Sequence, residues 1–352
     1  MPKMIPFQSA NVPFAIESSF VSDIHPADAI SVDPKPPGGK AAIDYMGRKL
    51  KLIDFAGRTK RRLAPSSPPQ AKILLVKTVN GTPAMALWAD SVDGEVDADI
   101  EQIHAMPQVF GAAIQSYFPS VLRMQRRLAL MFNAQAIAKD ASGHPISSRP
   151  NETSETVRAA DPDRPNAMSA ESQTEANAKQ TSSAQDGKGA HQVLIFPARL
   201  PARHNRPVSY LFSLRQIVDV LRHPTTQWIP FGPSYAKGIA EWRGRVLPVL
   251  SLEQSLGMEP TDQAMPLRTI VVQGAHQEKG SRLKAMYAIF NVGAAVRQHQ
   301  LPLACTPVEI PRWISKRSFV SGAYETENQL LLAINLERIL GLPSTRDSDN
   351  GV

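Results

Sequence analysis

The sequence predicts a mainly β protein made of small barrels, and three observations lead there. Short runs rich in Val, Ile, Leu and aromatic residues alternate with turns marked by Pro and Gly along both halves of the chain. Many such runs crowd into units of about 150 residues, which favours closed or partly closed barrels that leave few exposed sheet edges. The pattern is also written twice: AAIDYMGRKLKLIDF, Ala41 to Phe55, is matched by GIAEWRGRVLPVLSL, Gly238 to Leu252, at an offset of 197 residues.

The register of the repeat extends well beyond that segment. Phe14 and the run Val21-Ser22-Asp23-Ile24 meet Tyr210 and Ile217-Val218-Asp219-Val220, and Ile73-Leu74-Leu75 meets Ile270-Val271-Val272. Leu128 to Ile137 meets Leu330 to Ile339. A tandem duplication follows, with domains at 1–138 and 191–342. Between them, residues 139–190 turn to Ser, Thr, Asn, Gln, Ala, Asp and Glu with almost no large apolar side chain. Such a segment buries too little surface to offset its ordering entropy and is expected to be a disordered linker, with residues 343–352 a loose tail.

Within the second copy, the strands expected in order are Val193–Ala198, Pro207–Leu214, Gly238–Trp242, Arg245–Leu250, Arg268–Gln273, Arg282–Phe290 and Asn328–Ile334. Brief helices fit at Gln216–Arg222, Glu253–Leu256 and Leu336–Leu340. A break near Met258–Pro266, matched by Ala64–Gln70, is expected to divide each copy into two units. Arg243-Gly244 falls at the turn of a hairpin, where Gly supplies the positive φ that a tight turn requires. Arg243 is then an exposed tip with a bidentate donor fork, and Trp242 beside it offers apolar area. Pro248 in the following run points to an edge strand or a bulge.

Composition narrows the function. The net charge is +7, spread as about +3 before residue 139, about −2 to residue 190 and about +6 after it. One dense basic run, Arg58, Lys60, Arg61 and Arg62, sits among prolines and reads as a surface connection. Opposite in sign is the series Asp90, Asp93, Glu95, Asp97, Asp99 and Glu101, which reads as loop and lacks the Gly and Glu placement of a calcium loop. The single cysteine, Cys305, reads as a small buried apolar residue and excludes an internal disulfide. No apolar run approaches the ~20 residues that span a bilayer, and Pro6, Gln8 and Pro13 interrupt the start of the chain, so a cytoplasmic location is expected.

No catalytic or metal-binding set emerges. The eight histidines are scattered without zinc-type spacing, no Gly-rich phosphate loop occurs, and no serine sits in a Gly-x-Ser-x-Gly elbow. No cofactor is expected.

GIAEWRGRVLPVLSLEQSLG, Gly238 to Gly257, resembles the signature of the CheW-like domain of bacterial chemotaxis. There, a Gly-Val-Ile-Asn-Leu-Arg-Gly type segment leads into an Ile-Pro-Val-Ile-Asp-Leu type strand. Tyr210 to Gly238 upstream, and the RTIVV run and Gly322 to Leu340 downstream, follow the family's order. The first copy is similar more weakly, through Gly47–Phe55 and Ala86–Pro107. The resemblance implies that each domain consists of two small SH3-like β-barrels with a few short helices. It also implies an adaptor with no catalytic centre, coupling chemoreceptor cytoplasmic tips to a CheA-type histidine kinase and able to meet other CheW-like domains. It places Arg243 and Gly244 at or near the receptor-coupling surface, so the expected partner-binding residues are Glu241, Trp242, Arg243, Gly244 and Arg245. Tyr45, Met46, Gly47 and Arg48 form the degenerate equivalent in the first copy.

The chain departs from the family in places: Glu241 stands for the usual Asn, Trp242 for Leu and Ser251 for Asp, while Met46 replaces the arginine and Asp54 keeps the Asp. Recruitment to membrane-associated receptor arrays, without membrane insertion, is the corresponding expectation. Two alternatives stand beside it. One is a CheW-like adaptor serving surface motility or second-messenger signalling; the other is a nucleic-acid-binding barrel protein, which would need exposed aromatics along a basic groove.

Overall fold

The computed structural model describes residues 1–30, 32–33, 41–55, 70–77, 81–125, 127–141, 192–200, 207–222, 224–260, 267–276, 284–293, 297–300 and 305–340. The chain is mainly β, as expected, and each copy holds two sheets. In the first copy, one sheet takes strands from both ends of the copy: Lys3–Ser9, Val12–Glu17, Ile103–Ala105, Ser120–Met124 and Arg127–Met131, with short strands Ser91–Val92 and Val96–Asp97 on Lys3–Ser9. This terminal sheet is tied together where Val12–Glu17 runs parallel to Arg127–Met131, Phe14 opposite Leu130. The second, inserted sheet comes from the middle: Val21–Pro26, Val32–Asp33, Ala42–Tyr45, Arg48–Ile53, Lys72–Lys77 and Pro83–Ala89.

The second copy repeats the plan. Its terminal sheet holds Gln192–Pro197, Val208–Ser213, Arg297–Gln300, Thr306–Val308, Val320–Glu325 and Leu330–Ile334, with Tyr210 opposite Leu332 in the parallel pair. Its inserted sheet holds Ile217–Leu221, Ala236–Trp242, Arg245–Ser251, Leu267–His276 and Lys284–Gly293. The register agrees down to a shared irregularity, because pairing slips between Val21 and Asp23 in one copy and between Ile217 and Asp219 in the other.

Short apolar runs buried on both faces account for many strands: in Lys72–Lys77, Ile73 and Leu75 enter one core while Leu74 and Val76 enter another. In Ala236–Trp242 the inward residues Gly238, Ala240 and Trp242 alternate with Glu241 and Lys237 outside. Each inserted sheet rolls around a small apolar core: Ile43, Leu50, Leu52, Ile73, Leu75 and Ala86 in the first copy, and Ala240, Trp242, Leu247, Val249, Val271 and Ile289 in the second. A larger core fills the space between the two sheets of each copy, with Phe7, Phe14, Phe55 and Phe118 in the first and Phe196, Tyr210, Phe212 and Phe290 in the second.

Several expectations change. The break at Met258–Pro266 does not separate two units; it lies inside the inserted sheet, because the parallel pairing of first and last segments closes the terminal sheet around it. Gln216–Arg222 is not helical. A single 3-10 turn, Leu214–Gln216, boxed by Ser213 and Gln216, leads into the strand Ile217–Leu221, whose β-branched residues favour extension. Pro248 is on an interior strand, not an edge, and the bulge lies opposite, between Ala236 and Gly238. The proline is tolerated because pairing with Lys284–Gly293 begins one residue later, at Val249.

Three further readings shift. The acidic series is part sheet, its carboxylates engaged locally: Asp90 accepts from the Ala10 amide at 2.7 Å, Asp93 meets Arg127 at 3.2 Å and Glu95 meets Lys3 at 3.3 Å. Cys305 is half-buried. Two helices went unread, Gly111–Tyr117 and Ala134–Ala141, and the latter runs into the segment expected to be linker. The rest of that segment, the tail and the basic run at Arg58–Arg62 lie outside the described residues.

The copies also pack on each other. Ile229 and Ile239 of the second copy join the first copy's large core, with Trp228, Phe231 and Val246 packed against it. The Phe231 and Phe55 ring centroids are 6.4 Å apart, and the Tyr235 hydroxyl donates to the Val109 carbonyl at 3.2 Å. Val109 touches the large cores of both copies.

Candidate partner-binding site

The hairpin between Ala236–Trp242 and Arg245–Ser251 turns at Arg243-Gly244. Both residues have positive φ, 48° at Arg243 and 74° at Gly244, as a type I′ turn demands. Met46 and Gly47 repeat the geometry at 51° and 74°. Glycine alone therefore does not carry the turn; a non-glycine residue sits left-handed in each copy, where Asn or Gly would be the relaxed choice.

Side chains around this turn form a ladder. Trp242 is only 8 % exposed and closes the end of the barrel, where its Nε1 donates to the Asp219 carboxylate at 3.0 Å. Arg243 reaches the same Asp219 oxygen at 3.1 Å, and its guanidinium carbon stands 4.8 Å from the Trp242 ring centre. Tyr287 lies 5.5 Å from Trp242, and Arg245 caps Tyr287 at 4.9 Å. The indole hydrogen bond, together with the Val220 amide and the Arg243 charge, holds the Asp219 carboxyl below its ordinary value. Arg243 nevertheless remains 66 % exposed in its side chain, so it is held in direction while its outer donors face solvent.

The five sequence-predicted residues therefore split. Glu241, Arg243 and Arg245 are exposed and Gly244 is partly so, while Trp242 offers no apolar area to a partner because its ring is spent inside the barrel. Sequence reading missed Asp219 and Tyr287. Asp219 had a signal, since Asp23 holds the equivalent place in the repeat.

In the first copy the same place is built otherwise. Asp23 pairs with His25 at 3.0 Å, and His25 contacts Tyr45 at 5.7 Å between ring centres. Met46 stands 86 % exposed, and Arg48 is exposed beyond it. The barrel is closed by other groups, and the tip carries an uncharged side chain.

Beneath the hairpin, Ser251 caps the helix Leu252–Ser255, accepting from the Gln254 amide at 3.4 Å. Glu253 is 1 % exposed and accepts from the Arg199 amide at 3.1 Å and from Ser251 at 3.3 Å. Burial, then the Glu253 charge, pushes the Tyr210 hydroxyl well above its ordinary value. At the seam between the copies, Arg123 of the first meets Glu241 of the second at 3.3 Å. Among the described residues no cluster of three or more His, Cys, Asp or Glu is placed to hold a metal ion, and no helix is long and apolar enough to cross a membrane. All four tryptophans, Trp88, Trp228, Trp242 and Trp313, are buried or half-buried.

No curated protein matches the chain. Among solved structures, the chain is similar to the scaffolding protein TtCheW from Thermoanaerobacter tengcongensis, at 19 % identity and a TM-score of 0.32, over 43 % of this chain and 92 % of that one. The family model described as CheW-like domain matches residues 3–142 and again residues 202–344. These two matches take in most of both copies, and the chain belongs to the CheW-like domain family as a tandem pair.

Proposed function

We propose that the chain is a non-enzymatic adaptor of a chemosensory signalling system, joining a CheA-type histidine kinase to the cytoplasmic tips of chemoreceptors. In this reading it acts through barrel surfaces, needs no cofactor and is recruited to membrane-associated receptor arrays from the cytoplasm. The observation that supports it most is the fixed arginine of the second copy. Arg243 is oriented by Asp219 and Trp242 yet keeps most of its side chain in solvent. A long cation already held in place loses less freedom when a partner carboxylate binds. Glu241, Gly244 and Arg245 complete the surface around it. The first copy, with Met46 at the tip, keeps the turn without the charge, and in this reading its role is to hold the second copy in place.

Capture of a CheA-type kinase and a receptor cytoplasmic domain by the full chain tests the reading. Wild type should retain both, and Arg243→Glu should lose receptor capture while staying folded. Retention of neither by a folded wild type would end the proposal.

A further inference from the structure

The two arginines that flank the hairpin glycine are not equivalent. Arg243 is committed to Asp219, whose Oδ2 receives both the Arg243 guanidinium and the Trp242 indole while its Oδ1 receives the Val220 amide at 2.8 Å. Arg245, opposite Trp242 across the hairpin, is exposed, and its guanidinium carbon lies 4.9 Å from the centre of the half-buried Tyr287 ring. Among the described residues it meets no carboxylate. The neighbouring acid, Glu241, is taken by Arg123 at 3.3 Å. Arg123, Arg243 and Arg245 thus face two carboxylates, Asp219 and Glu241, and the charge left unbalanced is that of Arg245.

The floor beneath that charge is aromatic and fixed. Trp242 belongs to the small core of the inserted sheet, Tyr287 packs against the same core, and the two ring centres are 5.5 Å apart. A guanidinium resting on a ring is attracted by the ring's face and keeps N–H donors free for a further acceptor. Arg245 and the outer donors of Arg243, carried on neighbouring rings, therefore offer two cations side by side to whatever meets the hairpin. In the first copy Arg48 holds the same register place, opposite Tyr45, and among the described residues no ring supports it.

We propose that Arg245, held on Tyr287, binds a carboxylate of the partner, so that the protein engaged at this hairpin presents an aspartate or glutamate side chain to it. The identity of that protein as a receptor cytoplasmic domain rests on the adaptor reading; the chemistry at Arg245 does not. One unbalanced positive charge matches the single negative charge of a carboxylate. A phosphate group, with nearly two negative charges, would be set against Asp219 and Glu241. Tyr287 is a positioning residue, because its ring restricts a long side chain before the partner arrives and so reduces what binding loses in freedom.

Two measurements on the full chain test this, with folding of each variant checked by circular dichroism. In capture of a receptor cytoplasmic domain, Arg245→Gln should weaken affinity about tenfold and make it less sensitive to salt. Tyr287→Phe, which keeps the ring, should bind like wild type, and Tyr287→Leu should bind less well. Adding Tyr287→Leu to Arg245→Gln should cause no further loss; a further loss would overturn the positioning role. The second measurement follows the arginine Nε–H resonances while a short helical peptide carrying one glutamate is added, beside the same peptide with glutamine or phosphoserine in its place. The resonance that Arg245→Gln removes should move with glutamate and stay still with glutamine. Where wild type captures the receptor domain, unchanged capture by folded Arg245→Gln overturns this proposal and leaves the adaptor reading standing. Where wild type captures none, the adaptor reading falls and the peptides decide: movement with glutamate alone keeps the carboxylate site, and no movement, or a larger one with phosphoserine, overturns it.

Discussion

The indole of Trp242 donates to Asp219 at 3.0 Å, between strands at the two ends of one sheet, and this contact closes the second copy's inserted barrel. The same carboxylate oxygen receives Arg243 at 3.1 Å, so closure of the barrel and orientation of its exposed cation depend on one side chain. Trp242→Ala should therefore be strongly destabilising. Loss of a buried tryptophan costs about 3–5 kcal/mol, which denaturant unfolding would register. Trp242→Phe keeps most of the packing and removes the hydrogen bond, and should cost about 1–2 kcal/mol.

Arg243 should behave in the opposite way. Its ion pair is largely exposed, and pairs of that kind contribute about 0–1 kcal/mol. Arg243→Asn places a residue favoured in the left-handed turn, so the melting temperature should hold or rise while receptor capture falls. A large drop in melting temperature would make Arg243 a structural residue.

Acid should loosen this corner. The folded-state pKa of Asp219 is lowered, chiefly by the Trp242 hydrogen bond. A lowered value means that the unfolded chain takes up the proton first, so the stabilisation is complete above the unfolded pKa and fades as pH falls through the folded one. Wild type should lose melting temperature on acidification through the carboxylate range more steeply than Asp219→Asn. Equal slopes would remove Asp219 from the account.

The seam responds to pH higher up. Burial, then the Arg123 charge, lowers the His104 pKa, and Glu241 opposes the shift. Protonating His104 sets a second cation beside Arg123, so stability is complete above the unfolded histidine value and declines as pH falls below it. His104→Gln should flatten that decline. Reversing Arg123→Glu alone should weaken contact between the copies, seen as faster proteolysis, and adding Glu241→Arg should restore it.

Much of this was legible in the sequence because it is local. The repeat, the hairpin turn and its exposed arginine follow from adjacent residues, and the strands follow from short apolar runs set off by Pro and Gly. What was missed depends on distant pairing. Trp242 looks like a surface anchor until Asp219 and Tyr287 are brought over it, and Pro248 looks like an edge until a parallel neighbour starts just past it. The seam was hidden because Val109, Phe231 and Glu241 sit far apart in the chain and none carries a motif. The helix Gly111–Tyr117 had a signal in Phe110, Ile114 and Tyr117, spaced for one face, which the strand-rich context obscured.

In the proposed function, receptor coupling turns on the charged tip that the second copy carries and that Met46 replaces in the first. Quantitative capture of a chemoreceptor cytoplasmic domain by Arg243→Glu and Met46→Arg, each in the full chain, tests it most directly. The account predicts at least a tenfold loss of affinity for Arg243→Glu, about 1.4 kcal/mol or more, with Met46→Arg close to wild type. Equal effects of the two substitutions, or unchanged capture by folded Arg243→Glu, would contradict it.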